Sequence, residues 1–413
     1  MSDRRLAARG KTLVFIGAGS QAAFREYTLI AMASRADLVL IDKHQPPWIK
    51  PYVRAFYPLE QPGADHMLEV ARAAMKAEGA DGIVTYDDRY TVPVAQLAEE
   101  AGLAGSGVAS AIACKDKRET RARLNSRGLG SVGFRIANSA DEALAAVGEL
   151  GLPVVMKPRA LSASKGVIRV DNIADVAAGY QTAATASVSG PVFSASGVLV
   201  EEYLDGEEFI IDSVVYQGQV QVLFVGVKVL GPAPYFEEAG AISAASNFDL
   251  LPGIRPYMQA VHEALGFADG VTHTELRVDQ GYRILEVNSR LGGGMLPYLG
   301  FLATGMDLSA AVADIGLGRA PVIERTRDRA AAIAFLYPEH DMTLGRLDIP
   351  DEILADPRVD RVVPLAKPGD VLLLPPAGYV SRAAMAITTG DDVASCKRAM
   401  ADTVAKITIT PAS

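Results

Sequence analysis

The chain has 413 residues, 49% hydrophobic and 22% charged, which suits two or three packed domains and excludes a disordered chain. Its net charge of −9, without a basic run interleaved with aromatics, argues against a nucleic acid polymer as partner, although local lysines and metal ions can still hold a nucleotide. No apolar stretch approaches the roughly 20 residues that span a bilayer, and the N-terminus lacks a leader pattern. The two cysteines, Cys114 and Cys396, show no CxxC spacing. We therefore expect a cytoplasmic protein without a membrane partner.

The first part of the chain, from Lys11 to about Cys114, alternates short apolar strands with amphipathic helices. The strands are TLVFIG, LVLID and GIVTYDD, and the helices lie near residues 24–35 and 67–78. This alternation predicts a βαβ wind with a parallel sheet.

The charged segment 116–128 predicts one helix closed by Gly128, and we place a domain boundary there. Beyond it, PVVMK, GVIRV, VLVEEYL, EFIIDSVVY and QVQVLFVGVKV are strand-like, with one helix after Asp171. We expect this region to be α+β and mostly antiparallel, with a mobile surface loop over 187–197. From about Arg329, the runs IAFLY, VDRVVPL and VLLLPP and a helix near 392–406 predict a third, smaller lobe.

A glycine turn follows the first predicted strand. Gly17 and Gly19, with Asp42 closing the next strand, resemble a dinucleotide fingerprint and would suit an NAD enzyme. The other interpretation is the tight turn that any doubly wound sheet needs after its first strand, and Ala22 replaces the third glycine. Both interpretations stay open at this point.

The strongest chemical pattern runs from Thr272 to Gly294. If VTHTELRV and YRILEVN are adjacent strands, Glu286 and Asn288 share one face and Glu275 meets them from the neighbouring strand. Two carboxylates and an amide oxygen suit magnesium, which usually completes its shell with water and phosphate oxygens. An exposed hairpin would also explain these residues, but the surrounding apolar side chains leave little room for a solvated face.

Arg290 and the glycines that follow it, Gly293 and Gly294 among them, supply a cation and a closely approaching backbone. Such a pair could stabilise a phosphoryl or acyl oxyanion. Upstream, Lys117 opens the boundary helix, Lys157 ends PVVMK, and the loop ALSASKG could cover phosphates with its amides. The segment from Glu201 to Glu208 offers backbone groups for an adenine edge and a carboxylate for a ribose.

Taken in order, these motifs resemble the ATP-grasp superfamily over nearly the whole chain. The resemblance implies an α/β and α+β chain: an ATP-grasp fold with an N-terminal parallel βαβ (pre-ATP-grasp) domain and a small C-terminal lobe. It divides the chain at 1–114, 115–205 for the lid, 206–328 for the large subdomain and 329–413. It implies ATP contacts from Lys117, Lys157, Ser162, Ser164, Lys165, Gly166, Glu201, Glu202, Tyr203, Leu204 and Glu208. Glu275, Glu286 and Asn288 would bind two Mg²⁺, with Mn²⁺ as an alternative.

Within that superfamily the chain is most similar to the L-amino-acid ligases, which form dipeptides. The matching signals are Glu238-Ala-Gly after Lys228, the TYDDRY segment, and Gly378-Tyr-Val-Ser-Arg in the C-terminal lobe. Ala241 stands where typical members have a histidine, so recognition of the acceptor is expected to differ. The resemblance implies substrate contacts from Asp88, Lys228, Glu238, His273, Arg290, Gly293 and Gly294.

Two of these assignments have a second interpretation. Asp88 would pair with an amino group of the first substrate or serve as a helix N-terminal acid. His273 shares a face with Glu275 and would orient a ligand or be a hydrogen-bonded structural histidine.

The implied reaction is amide formation between an amino acid or similar acid and an amine. It would pass through an acyl phosphate and release ADP and phosphate, with Arg290 and Lys157 facing the developing charge. A homodimer is expected from the same resemblance. The alternative function is an NAD(P)-dependent oxidoreductase built on Gly17, Gly19 and Asp42.

Overall fold

A computed structural model describes residues 10–130, 132–188, 195–231 and 233–412. The N-terminal elements are β1 (Thr12–Ile16), α1 (Ala22–Ala33), β2 (Asp37–Asp42), β3 (Val53–Pro58), α2 (Ala64–Glu78), β4 (Gly82–Thr85), α3 (Thr91–Glu100) and α4 (Val108–Lys115). Their strands are parallel in the order β3-β2-β1-β4, which confirms the predicted βαβ wind. Because β1 and β4 are parallel neighbours, the loops that follow them lie side by side. The Tyr86 hydroxyl donates to the Ala18 carbonyl across these loops, 2.7 Å away.

The next region forms a small antiparallel sheet covered by two helices. Its elements are α5 (Lys117–Ser126), β5 (Phe134–Ala137), α6 (Ala140–Leu150), β6 (Val154–Pro158), β7 (Ile168–Val170), α7 (Val176–Val188) and β8 (Val198–Glu202). The strand order is β5-β8-β6-β7. Helix α6 was not predicted. Helix α7 continues to Val188, so the predicted loop over 187–197 is wrong for its first two residues, and residues 189–194 lie outside the described ranges.

An eight-stranded sheet forms the centre of the molecule. The chain from residue 207 onward first forms β9 (Glu207–Tyr216), β10 (Gln219–Leu230), β11 (Glu238–Ala244), α8 (Ile254–Leu265), β12 (Gly270–Val278), β13 (Tyr282–Asn288), α9 (Leu296–Thr304) and α10 (Leu308–Gly316). The chain continues as β14 (Ala330–Leu336), β15 (Met342–Asp348), α11 (Asp351–Leu354), β16 (Val359–Pro364), β17 (Val371–Leu372), β18 (Ala384–Gly390), α12 (Val393–Val404) and β19 (Thr408–Pro411). The order of the large sheet is β13-β12-β9-β10-β11-β14-β18-β16.

In the C-terminal region, β14, β18 and β16 extend the central sheet, and β17, β15 and β19 form a separate three-stranded sheet. Strands β11 and β14 are antiparallel neighbours, so the predicted boundary at 328/329 falls between two strands of one sheet. Only Val371 and Leu372 of the predicted strand VLLLPP are paired, and the prolines that follow lack the amide hydrogen that a ladder needs. Strand β18 was not predicted.

Helices cover both faces of the central sheet. Met258, Val261 and Leu265 of α8 pack against one face, and α9 and α10 pack against the other together with the N-terminal region. No single helix in the described ranges is long and apolar enough to cross a membrane. Helices α9 and α10 are long and apolar enough only when they are taken together, and the angle between them is 110°.

Candidate active site

A cavity of about 510 Å³ lies between the small sheet, the central sheet and the loops after β1 and β4. It brings together most of the residues singled out in the sequence: Asp88, Lys117, Lys157, Ser162, Ser164, Glu201, Glu202, Tyr203, Leu204, Glu208, Lys228, Glu238, His273, Glu275, Glu286, Arg290, Gly293 and Gly294. Residues from the N-terminal sheet region, the small sheet and the central sheet thus meet at one site.

Three predicted residues do not line this cavity. Asn288 lies beside Glu286, to which its amide donates at a distance of 2.9 Å. The loop after β6 adopts left-handed backbone at Ala163 and Ser164, and Lys165 lines an adjoining cavity of about 1560 Å³ instead. Gly166 packs against helix α7, where a Cβ atom would meet Ala186 at 2.5 Å. The expectation that Lys165 and Gly166 contact ATP therefore finds no support in their positions.

The predicted carboxylate platform is formed by a hairpin. Strands β12 and β13 are antiparallel with Glu275 opposite Glu286 and His273 opposite Asn288, as the sequence predicted. The side chains of Glu275 and Glu286 are 20% and 17% exposed, so the exposed-hairpin interpretation is wrong. Burial raises the pKa of Glu275, but Lys228 and His273 outweigh it and hold the carboxyl ionised.

The donor set fits a magnesium ion that arrives with phosphate. Within the described ranges, no group of three His, Cys, Asp or Glu side chains could form a complete protein cage. Two ionised carboxylates and an amide leave the remaining positions to water and phosphate oxygens, which is how proteins usually hold magnesium. Asn288 would bind through Oδ1, the atom that also accepts from Arg290 at 3.4 Å.

Lysines neutralise this platform. Lys117 lies 2.9 Å from Glu286, and its ammonium donates to the Leu161 carbonyl at 2.7 Å. Lys228 donates to Glu208 at 2.7 Å and to Glu275 at 2.9 Å. Burial lowers the pKa of Lys228, but these carboxylates outweigh it and raise the pKa well above the ordinary value. The cations therefore stay charged within reach of a bound polyphosphate.

Glu201 belongs to a buried charge cluster that the sequence did not reveal. Its two oxygens accept hydrogen bonds from Arg121 Nε and Lys157 Nζ, each at a distance of 2.6 Å. Arg121 also donates to the Leu285 carbonyl at 2.8 Å, which ties helix α5 to β13. The Glu201 carboxylate is therefore engaged, and only its backbone and the residues after it can face an adenine. Arg121 lies one helical turn after Lys117, a spacing that places both on one face of α5.

Arg277 is a second residue that the sequence reasoning missed. Its guanidinium donates to the Leu204 carbonyl at 2.6 Å and the Tyr203 hydroxyl at 3.1 Å, and it pairs with Glu208 at 3.2 Å. It thus fixes the segment from Tyr203 to Glu208. The sequence did indicate that Arg277 could belong to the site, because Arg277 follows Glu275 by two residues in the same strand.

Asp88 anchors Arg290. Arg290 Nε donates to Asp88 Oδ1 over 3.1 Å, and Lys115 pairs with the other oxygen. Burial raises the pKa of Asp88, but Arg290 and Lys115 outweigh it and lower the pKa. The residue that caps the following turn is Asp87, which accepts from the Arg89 amide at 3.0 Å. Asp88 lies in the first turn, so it is a helix N-terminal acid in addition to the partner of Arg290.

A further part of the cavity is built around Glu238. Arg382 donates to this carboxylate at 3.2 Å, and Oε1 is buried without a hydrogen-bond partner in the described residues. Burial raises the pKa of Glu238 against the pull of Arg382. Nearby, His273 Nδ1 lies 2.7 Å from Asp212. Burial lowers the pKa of His273, but Asp212 and Glu275 raise it to about 9, so this histidine is a charged and anchored group.

The glycine turn after β1 has a structural role. The Ala18 amide donates to Asp42 Oδ2 at 2.7 Å, so the carboxylate that a dinucleotide ribose would need is bonded to the turn itself. A Cβ atom on Gly17 would lie 2.9 Å from the Tyr90 ring, so the residue must be glycine for packing reasons. The oxidoreductase interpretation has no support in this geometry.

Three family models match the chain. They are an ATP-grasp N-terminal domain at residues 31–105, an ATP-grasp domain at 150–297 and L-amino acid ligase C-terminal domain 2 at 334–411. Together with the paired carboxylates and the lysines of the cavity, they define the class: the chain belongs to the ATP-grasp superfamily. Within that class, its resemblance is to the L-amino acid ligases.

Individual proteins show the same similarity. Alanine–anticapsin ligase of Bacillus subtilis is 24% identical over 326 residues, which cover 69% of this chain and 68% of that protein. Protein y4rH of Sinorhizobium fredii is 28% identical over 295 residues, covering 70% of this chain and 59% of that protein. The chain thus spans three fifths to two thirds of these relatives. The crystal structure of an L-amino acid ligase from Bacillus licheniformis matches 98% of this chain and 100% of that chain, with a TM-score of 0.82 and 23% identity.

Proposed function

We propose that the chain is an ATP-dependent, ADP-forming ligase that joins the carboxylate of an amino acid or similar acid to an amine. The observation that carries this proposal is the position of Arg290. Asp88 and Asn288 hold its guanidinium beside the Glu275 and Glu286 platform, in the cavity that also contains Glu238. A simple nucleotide site needs no such cation beside a phosphate platform in a cavity that also contains a second buried acid.

The chemistry follows from this order of charges. A free carboxylate would have to expel oxide, so it first attacks the γ-phosphorus of ATP, ADP leaves and an acyl phosphate forms. The amine then attacks the acyl carbon, phosphate leaves, and loss of a proton from nitrogen gives the amide. Magnesium, when bound, neutralises the terminal phosphates. Lys117 and Lys228 supply further positive charge on the nucleotide side, and Arg290 faces the oxygen that gains charge as the acyl group is attacked. Lys157, whose pKa burial lowers despite Glu201, lines the same cavity and would face the developing charge together with Arg290.

Several finer assignments belong to the same proposal. Glu275, Glu286 and Asn288 would hold two Mg²⁺ ions, as the resemblance implies. Glu208 would hold the ribose, and Tyr203 and Leu204 would line the adenine. The division at 114/115, 205/206 and 328/329 and the homodimer rest on the resemblance. A cytoplasmic location fits a reaction that consumes ATP.

The experiment is a pairwise screen. Purified protein with ATP and MgCl₂ is incubated with all pairs of the twenty L-amino acids, and phosphate and ADP are measured for each pair. We expect ADP and phosphate release that requires both an acid and an amine, and its near-complete loss in Glu286→Gln. Release of AMP and pyrophosphate, or ADP release that ignores the amine, would contradict the proposal.

A further inference from the structure

Seven lysine and arginine side chains of the described ranges line the active-site cavity, and six of them already have a carboxylate partner. The pairs are Lys117 with Glu286, Lys157 with Glu201, Lys228 with Glu208 and Glu275, Arg277 with Glu208, Arg290 with Asp88, and Arg382 with Glu238. The seventh is Arg25, which makes no ion pair with any residue of the ranges that the structure describes.

Arg25 is held in place by an aromatic ring. It lies on helix α1, and its guanidinium carbon is 4.6 Å from the centroid of the Tyr86 ring. Tyr86 is 2% exposed and is fixed by its bond to the Ala18 carbonyl, so it forms a rigid platform. A cation over an aromatic face is oriented but not neutralised, because the ring carries no net charge. The guanidinium therefore remains available to an anion in the cavity.

The surroundings of Arg25 also favour an anion. Gly19, Ser20 and Gln21 line the cavity just before α1, and the N-cap Gln21 makes no side-chain capping bond. The first turn of α1 contains no acidic residue. The amide groups at the start of a helix carry partial positive charge, so they add to the field of Arg25.

This inference rests on the proposed reaction. That reaction needs one more cation than the six lysine and arginine side chains that already have carboxylate partners. The acid substrate brings the carboxylate that is phosphorylated, which Arg290 and the magnesium platform face. If the amine substrate is an α-amino acid, it brings a second carboxylate that never reacts and enters the same cavity. An unpaired carboxylate there would be costly to bury. A guanidinium binds a carboxylate through two parallel hydrogen bonds.

We propose that Arg25 binds the unreacting α-carboxylate of the amine substrate and so makes the enzyme select amino acids over simple amines. Arg25 is then a specificity-determining residue contributed by the N-terminal domain. The neighbouring Tyr86 acts as a positioning residue for it.

The test compares an amino acid acceptor with its amide. With the best pair from the screen, kcat/KM for ADP release is measured for the L-amino acid acceptor and for the same amino acid as its α-carboxamide, in wild type, Arg25→Gln and Arg25→Lys. We expect wild type to prefer the carboxylate, and Arg25→Gln to lose about 10- to 100-fold in kcat/KM for it while the carboxamide is unaffected. Arg25→Lys should recover part of the preference. Arg72→Gln, an exposed arginine paired with Glu100 outside the cavity, is the matched control.

The outcomes separate this inference from the proposed function. If wild type shows no amine-dependent ADP release, the proposed function fails and this inference fails with it. If wild type is active but Arg25→Gln keeps the full preference for the carboxylate, only the inference is overturned. A rise in KM for the acid substrate with an unchanged acceptor preference also overturns it, because Arg25 would then serve the other substrate.

A variant that loses activity with both acceptors is checked by circular dichroism and ATP binding. If it is folded and binds ATP, Arg25 acts on the reaction as a whole and the inference fails. If it is unfolded, Arg25→Lys decides in its place.

Discussion

Replacing Asp88 with asparagine removes one negative charge from between Arg290 and Lys115 while it keeps the shape of the side chain. Arg290 Nε lies 3.1 Å from Asp88 Oδ1. Opposite charges at that separation attract by about 5 kcal/mol at an effective dielectric constant of about 20. Asparagine can still accept a hydrogen bond from Arg290 but cannot neutralise Lys115, so the two cations repel. We expect Arg290 to lose its fixed orientation.

The expected result is a fall in kcat for ADP release of about 100-fold, equivalent to about 3 kcal/mol in the barrier. ATP affinity should change little, because the groups on the nucleotide side are untouched. Steady-state ADP release and calorimetric titration with ATP measure the two quantities. Asp87→Asn is the control, because it keeps the capping acceptor and loses only a partly exposed pair with Arg89. An Asp88→Asn enzyme with normal kcat and a raised KM for the acid substrate would refute the anchoring role and indicate that Asp88 binds the substrate ammonium group.

Three further predictions follow from the site and the core. Glu286→Gln should lower kcat by about 100-fold or more and raise the magnesium concentration needed for half-maximal rate, and an unchanged magnesium dependence would exclude Glu286 as a ligand. Arg121→Met should lower the free energy of unfolding by about 3 kcal/mol, because Glu201 loses one partner in a buried cluster. The exposed Arg135→Met, measured in the same urea titration, should stay within about 1 kcal/mol of wild type. Burial lowers the pKa of His262 from 6.5 to about 4, so the unfolded chain gains a proton between these pH values that the folded chain does not. The free energy of unfolding should therefore fall by up to about 3 kcal/mol more in wild type than in His262→Gln as the pH is lowered through that window, and parallel profiles would contradict this assignment.

The sequence predicted the elements whose geometry is set locally. The platform of Glu275, Glu286 and Asn288 depends on one hairpin with a short turn, so the alternation of a strand was enough to place its side chains on one face. Asp116 caps α5 by accepting from the Arg118 amide, and the helix begins at the predicted place. The geometry of a short hairpin or of a helix start is determined by residues that lie close together in the sequence.

The contacts that were missed join distant parts of the chain. Arg121 meets Glu201, and Arg382 meets Glu238, across separations of 80 and 144 residues, which no local spacing encodes. The continuity of the central sheet depends in the same way on β14 pairing with β11. Asp88 was recognised as important, but its role as an anchor required the position of Arg290 in space.

Transfer of ¹⁸O from the acid substrate to phosphate is the most direct test of the proposed acyl-phosphate intermediate. The acid is labelled with ¹⁸O in its carboxylate, incubated with the amine, ATP and MgCl₂, and the phosphate is examined by ³¹P NMR. Passage through an acyl phosphate places one ¹⁸O atom in inorganic phosphate and leaves one in the amide product. Amide formation with unlabelled phosphate, or with the label in AMP, would contradict the mechanism.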